Sequence, residues 1–357
     1  MPASKVYFKR LSAESDLKER TAAMQVLLQA MDLPVSIGPK EKVAVKIHVG
    51  ERKNTTFVKP ELIRQVVQWI KAARGVPFLT ETSTLYKGAR SHAVDHLAHA
   101  FNHGFTYGKV GAPFIMADGL LGNSEIRINI PGKIFKSVLI AREVEAADAL
   151  VAVSHATGHM ACGIGACIKN LGMGLSSRMG KMRQHSSIKP YIKTDTCTFC
   201  KVCIKWCPQD TIVQKDGKAF IVNENCTGCG ECLAVCSFDA VAYNWGVESK
   251  ELQKRTAEHA YGAIINKKQK CLFINVLADM TKDCDCLGIS QKAVIPDIGI
   301  VASNDAVAVD QATLDLSREA NGTDLSHSSY AELDPGVQLL HAESIGMGSR
   351  AYELREV

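Results

Sequence analysis

What these 357 residues lack narrows the chemistry first. No apolar h-region follows the polar start at residues 1–10, so no secretory signal is expected. The longest apolar runs, Cys271 to Ala278 among them, fall far short of a membrane span. Charge of one sign is not in excess: a formal +5 gives no reason to invoke nucleic acid. No basic tract is interleaved with aromatics as single-strand binders require. No Gly-x-Gly-x-x-Gly follows a strand and no Walker motif occurs, which removes two common phosphate-cradling fingerprints. The expectation is a cytoplasmic protein that binds no nucleic acid and spans no membrane. Such a compartment keeps thiols reduced, so the 13 cysteines point to metal or redox chemistry rather than a disulfide framework.

What is present is ordinary for a globular chain: 46% apolar and 22% charged residues, and enough length for a large core with a smaller module. Strand-like and helix-like stretches alternate. Lys42 to Val49 reads as a buried strand, and Pro60 to Ala73 as a helix with Leu62, Ile63, Val66, Val67 and Ile70 on one face. Val76 to Thr80 returns as a strand, Arg90 to His103 as a helix ended by Gly104. Glu125 to Ile130, Val138 to Ile140, Glu143 to Ala147 and Leu150 to Ser154 continue the series. The rhythm breaks at Gly158 and resumes after about Asn244. Lys254 to Asn266, Asp305 to Leu316 and Val337 to Gly346 then read as helices, Cys271 to Leu277 and Ile295 to Ala302 as strands. The fold class predicted is α/β: a largely parallel-sheet core over 1–186 and 247–357, with a two-cluster ferredoxin-like α+β module inserted at 187–246.

The insert carries two copies of Cys-x-x-Cys-x-x-Cys-x-x-x-Cys: Cys197, Cys200, Cys203 and Cys207, then Cys226, Cys229, Cys232 and Cys236. Three thiolates two residues apart wrap one corner of an iron–sulfur cubane, and the fourth ligates the other cluster. Two [4Fe–4S] clusters are therefore expected. Cys197, Cys200, Cys203 and Cys236 would hold one; Cys226, Cys229, Cys232 and Cys207 the other. Zinc needs only four ligands and explains two complete runs poorly. Pro208 follows the first run, whereas Ser237 takes the proline position after the second.

Five cysteines are left over. Cys271 opens a strand and reads as a small buried hydrophobe. Cys162, Cys167, Cys284 and Cys286 offer four sulfurs for a third metal site, with His155 and His159 upstream, or are separate loop positions. No acid occurs between Asp148 and Asp195, where Lys169, Arg178, Lys181, Arg183, Lys189 and Lys193 accompany six glycines, Gly172 and Gly174 among them. Cations beside close-approaching backbone suit an anion: a carboxylate or phosphate substrate, or a flavin phosphate, for which no motif speaks. A solvated basic face and a docking patch for an acidic carrier are the alternatives. His92, His96, His99 and His103 share one arc of a helix, either as a metal or proton-transfer set or as residues that cap and pack singly. His48, at the end of a predicted strand, stands where α/β sheets place their ligands.

Val45-Lys46-Ile47-His48, Lys169-Asn170-Leu171-Gly172-Met173-Gly174 with Ser177-Arg178 and Gly180-Lys181, Asp283-Cys284-Asp285-Cys286, Pro296-Asp297-Ile298-Gly299 and Ala308-Val309-Asp310-Gln311 resemble hallmarks of the domain of unknown function 362 family, in its order. The resemblance implies an iron–sulfur protein with a two-cluster segment at this place and no assigned reaction. It adds nothing for Cys162 and Cys167. The functional expectation is a redox enzyme that receives electrons from a partner protein or reduced ferredoxin and passes them from the clusters to an anionic small molecule. Lys169, Gly172, Gly174, Arg178 and Lys181 would bind that molecule; His48, His155, Asp283 and Asp285 are candidates for catalysis. A non-catalytic electron carrier and a metal-handling protein are the other readings.

Overall fold

A computed structural model describes residues 3–357 except 33–34, 87, 186–188, 208, 227–230, 243–248 and 268. Its centre is an eight-stranded sheet in the order Tyr352–Glu356, Ser4–Arg10, Gly299–Ser303, Cys271–Leu277, Ala149–His155, Lys42–Lys46, Val76–Glu81, Phe114–Met116. Gly299–Ser303 pairs antiparallel with both neighbours, and every other pairing is parallel. The sheet is thus largely parallel, as the alternation of strands and helices predicts. All seven residues of Ala149–His155 and of Cys271–Leu277 are buried, which suits central strands covered on both faces.

One apolar layer packs helices Leu17–Ala30 and Pro60–Ala72 on one face of the sheet. The other face takes Cys167–Gly172, Ser249–Ile264, Ala306–Asn321 and Gly336–Ser344. Pro60–Ala72 begins with proline in its first turn and buries the five aliphatic side chains expected of it. At about 1.5–3 kcal/mol per buried side chain, such a stripe supplies roughly 10 kcal/mol before the cost of ordering.

Several elements differ from expectation. The helix expected from Arg90 is Ala93–Asn102, with His92 as its N-cap, because Arg90 is drawn into a buried ion-pair network. The strand expected from Ile295 is only Gly299–Ser303: Pro296 cannot donate to a ladder, and Asp297 is occupied by Ser15 and Arg20. Within the glycine-rich break stand the short helices Cys167–Gly172 and Arg178–Gln184, the second capped by the Ser177 hydroxyl.

From Tyr191 to Ala242 the chain leaves the sheet. Tyr191–Ile192 pairs with Val241–Ala242, closing the excursion at its base. Between them lie the hairpin Ile212–Lys215/Lys218–Ile221 and the short helices Val202–Lys205 and Glu231–Ala234. This segment has its own small core of Ile212, Ile221, Ala240 and Val241 with Cys197, Cys203 and Cys232. The expected module boundaries at 187 and 246 lie outside the described residues.

Candidate functional site

Every parallel strand from Cys271–Leu277 to Phe114–Met116 ends at one edge of the sheet, and each delivers polar side chains there: Asp279 and Asp285 just beyond one strand, His155, Lys46 and His48, Glu81 and Thr82, Asp118. Strand carboxyl ends are where open α/β sheets bind ligands. A cavity of about 980 Å³ opens along this edge. His48, Glu81, His155, Lys169, Arg178 and Lys181 line it, and so do Cys284, Cys286 and, from the cysteine-rich segment, Cys236.

The floor is an ion-pair network. Lys46 is fully buried; its ammonium donates to Asn170 Oδ1 at 2.7 Å, to the Ile47 carbonyl and toward Glu81 Oε1 at 3.4 Å. Burial depresses the ammonium to about 8 against the pull of Glu81. Glu81 accepts from the Val49 amide at 3.1 Å and meets His96 Nε2 at 3.0 Å. Burial works against its charge, yet Lys46 and the hydrogen bond with His96 hold the carboxyl well below its usual range. Arg90 reaches Glu51 at 3.3 Å, Glu81 at 3.8 Å and the Tyr86 hydroxyl. It also stands 3.1 Å from His48 Nε2, while the Gly50 amide donates to His48 Nδ1. Burial and Arg90 push His48 down to about 3, so the imidazole is neutral.

The opposite wall carries a second pair. His155 Nδ1 lies 2.9 Å from Asp285 Oδ2, its Nε2 meets the Ala278 carbonyl at 2.9 Å, and Thr56 donates to Asp285 Oδ1. Burial alone would raise Asp285, but His155 holds it down; in return Asp285 overcomes burial and raises His155. Of the four catalytic candidates, His48, His155 and Asp285 therefore meet at one cavity. Asp283 does not: its carboxylate accepts from the Tyr330 hydroxyl and its amide donates to Gln291, away from the cavity lining.

The anion-site candidates separate in the same way. Lys169, Gly174, Arg178 and Lys181 line the cavity, but Gly172 does not. A Cβ on Gly172 would come 2.3 Å from the Thr256 carbonyl, so this glycine lets Cys167–Gly172 approach Ser249–Ile264. A Cβ on Gly174 would meet Lys46 Cε at 2.4 Å, so its bareness makes room for the buried lysine. Lys181 is satisfied within the protein, by Thr82, Ser83 and Ser176, and burial lowers it to about 7. Arg178 Nε has no partner among the described residues. Of the acids that line the cavity, Glu81 and Asp285 are engaged by His96, Lys46, His155 and Thr56.

The four histidines of the Ala93–Asn102 face do not gather around one point. His92 caps the helix, His96 holds Glu81, His99 takes the Gly50 carbonyl at 3.0 Å and His103 the Val49 carbonyl at 2.7 Å. His99 and His103 thereby fix the loop that carries His48.

Of the four sulfurs weighed for a third metal, Cys162, Cys284 and Cys286 line the cavity and Cys167 does not. Cys167 turns into the core beside Asp310 and Cys271, whose charges with burial raise its thiol. Cys162 is buried at the cavity wall and pushed up to about 11. Cys284 and Cys286 are joined as a disulfide, and a ring nitrogen of His159 lies with both sulfurs inside 4.8 Å.

In the cysteine-rich segment, the Cys203 thiol is raised by burial and by the neighbouring Cys200, Cys236 and Cys197. These four are the set assigned to one cluster. Cys207 Sγ accepts from the Thr211 amide and meets the Thr211 hydroxyl, both at 3.4 Å. Although burial opposes it, these contacts and the amides of Gln209 and Ile212 lower the thiol. Cys226 and Cys232 pack in the same small core; Cys229 lies outside the described residues.

The sequence model described as "Domain of unknown function (DUF362)" matches residues 43–315, most of the chain. The chain belongs to this family. The match spans Lys46, Lys169, the Cys-Asp-Cys pair and the cysteine-rich segment alike, so all of these are parts of a DUF362 protein. No curated protein matches it. Among solved structures it is similar to the lactate racemase apoprotein from Thermoanaerobacterium thermosaccharolyticum, at 11% identity and a TM-score of 0.39, over 77% of this chain and 51% of that one. A Thermotoga maritima protein is similar at 10% identity and a TM-score of 0.37, over 74% and 51%. The DUF362 chain thus spans about half the length of these two structures. Among its described residues no helix is long and apolar enough to cross a membrane.

Lys46, Glu81, Arg90 and Asp118 escaped sequence reading as site residues. The usable signal was position: each lies at or near the end of a strand, where His48 was noticed.

Proposed function

We propose that this DUF362 protein is an iron–sulfur oxidoreductase, whose residues 191–242 form a ferredoxin-like insert that feeds electrons to a small anion in the strand-edge cavity. One observation carries the reading: Cys236, grouped with Cys197, Cys200 and Cys203, also lines the cavity walled by Lys169 and Arg178. Two [4Fe–4S] clusters, when bound, each accept and release one electron. The donor set suits them: buried thiols in a small apolar core, and a Cys207 sulfur that already collects N–H donors.

The chain's own residues do the rest. Cys200 is exposed, and Trp206 is 58% exposed on the adjoining helix end, so an external one-electron donor, a reduced ferredoxin or similar protein, can approach on that side. Lys169 and Arg178 attract the anion. The His155–Asp285 pair can hold a proton at the cavity wall, because Asp285 favours the charged ring. A purely electron-carrying subunit would have no use for this basic cavity of about 980 Å³, which favours the enzyme reading.

The test is EPR of anaerobically prepared, reduced holoprotein. Cys236→Ser should alter one of two signals, and inorganic sulfate or a small dicarboxylate should perturb that same signal in the wild type but not in Arg178→Gln. A spectrum insensitive to both the substitution and the anions would contradict the reading.

A further inference from the structure

Cys284 and Cys286 do not belong to the cluster motifs; Cys284 is buried and Cys286 half-buried, and both line the cavity. The Asp283-Cys284-Asp285-Cys286 segment presents both at the cavity wall. Lys169 Nζ donates to Cys284 Sγ at 3.4 Å. His159 completes the surroundings: its Nδ1 accepts from the amides of Ala161 and Cys162 at 3.2 and 3.0 Å, so a neutral ring carries its proton on Nε2. In that tautomer neither ring nitrogen offers a free lone pair to a metal. Asp285, between the two cysteines, is clamped by His155 and Thr56, and its carbonyl accepts from the Glu51 amide at 2.9 Å. The segment is therefore held in place while its sulfurs face the cavity.

We propose that Cys284 and Cys286 form a redox-active dithiol/disulfide pair, a two-electron store between the cluster segment and the cavity. Reduction breaks the S–S bond: the disulfide takes two electrons and two protons and becomes two thiols. Cys284 leaves as the thiolate, held by the Lys169 ammonium. Lys169 hands one proton to Cys284 and is recharged from cavity water, which also protonates Cys286. The electrons come singly from the two clusters, a step that rests on the proposed function. In the cluster-free chain a small dithiol such as dithiothreitol supplies both by exchange. A pair that stores two electrons matches one-electron donors to a two-electron reaction.

Two measurements on the full-length protein test this. Trypsin releases residues 283–292, which hold Cys284 and Cys286 and no other cysteine. Differential alkylation and mass spectrometry of that peptide, after equilibration in dithiothreitol buffers of graded potential, should show both cysteines passing together from disulfide to dithiol. This arm reads the pair with or without iron in the protein. Anaerobic reductive titration of the holoprotein should consume about four electron equivalents per chain, against about two for Cys284→Ser/Cys286→Ser. A peptide alkylated as dithiol at every potential, a metal ion retained by Cys284 and Cys286, or equal electron counts for both proteins would overturn the proposal. A count about two lower than expected in both proteins, with the difference between them and the alkylation curve preserved, would instead implicate the cluster reading.

Discussion

Asp285 shows most clearly how a single side chain is set by its surroundings. Its carboxylate is buried and kept charged by His155, so removing one partner leaves an uncompensated group. Asp285→Asn should cost about 3–5 kcal/mol in chemical denaturation of the holoprotein. The pH dependence follows from His155, whose pKa is raised above 6.5 in the folded chain. The pair's contribution is full below the unfolded histidine's pKa and fades as pH rises through the folded value. The stability gap between wild type and Asp285→Asn should therefore shrink as pH rises above 6.5, and a gap that widens would refute the pairing. Thr211 gives a second prediction at this scale. Its hydroxyl and amide both meet Cys207 Sγ, and hydrogen bonds to sulfur raise a cluster's potential. Thr211→Val keeps the amide and loses the hydroxyl, so one cluster's midpoint should move to more negative potential in spectroelectrochemistry. Sequence reading could group the cysteines because their spacing is local. It could not separate Asp283 from Asp285: two residues apart, one serves Tyr330 and the other the cavity, a choice made by partners 47 and 130 residues away.

Among the elements, helix Cys167–Gly172 decides how closely the two halves of one layer approach. Gly172 reads in sequence as part of an anion loop, yet it faces the Thr256 carbonyl. Gly172→Ala should lower stability by about 1–3 kcal/mol through forced overpacking. Anion perturbation of the EPR signal should survive in whatever fraction folds; unchanged stability with lost anion response would restore the ligand role. The buried strands and the amphipathic helix Pro60–Ala72 were legible because their periodicity is written in a few adjacent residues. Strands Ser4–Arg10 and Tyr352–Glu356 were not. Each is flanked or interrupted by charge, and they are strands through distant partners: Ser4–Arg10 pairs with Gly299–Ser303, and Tyr352–Glu356 pairs in parallel with Ser4–Arg10, Ser4 against Tyr352. That partnership has no local trace. The short helices at 167–172 and 178–184 were hidden by glycines whose purpose is close packing, not turning.

At the scale of the whole molecule, a sheet edge and a cysteine-rich excursion share one cavity. The alternation of strands and helices made the excursion visible as an interruption. It could not reveal that Cys236 and Cys284 would look into the same space, since that depends on how the excursion folds back. If electrons cross there, the cysteine-rich segment must hold two cubanes and nothing else. The direct measurement is iron, zinc and acid-labile sulfide on anaerobically purified wild-type protein. The account predicts about eight iron and about eight sulfide per chain, with colour bleached by dithionite. Zinc in place of iron, with no labile sulfide, would contradict it.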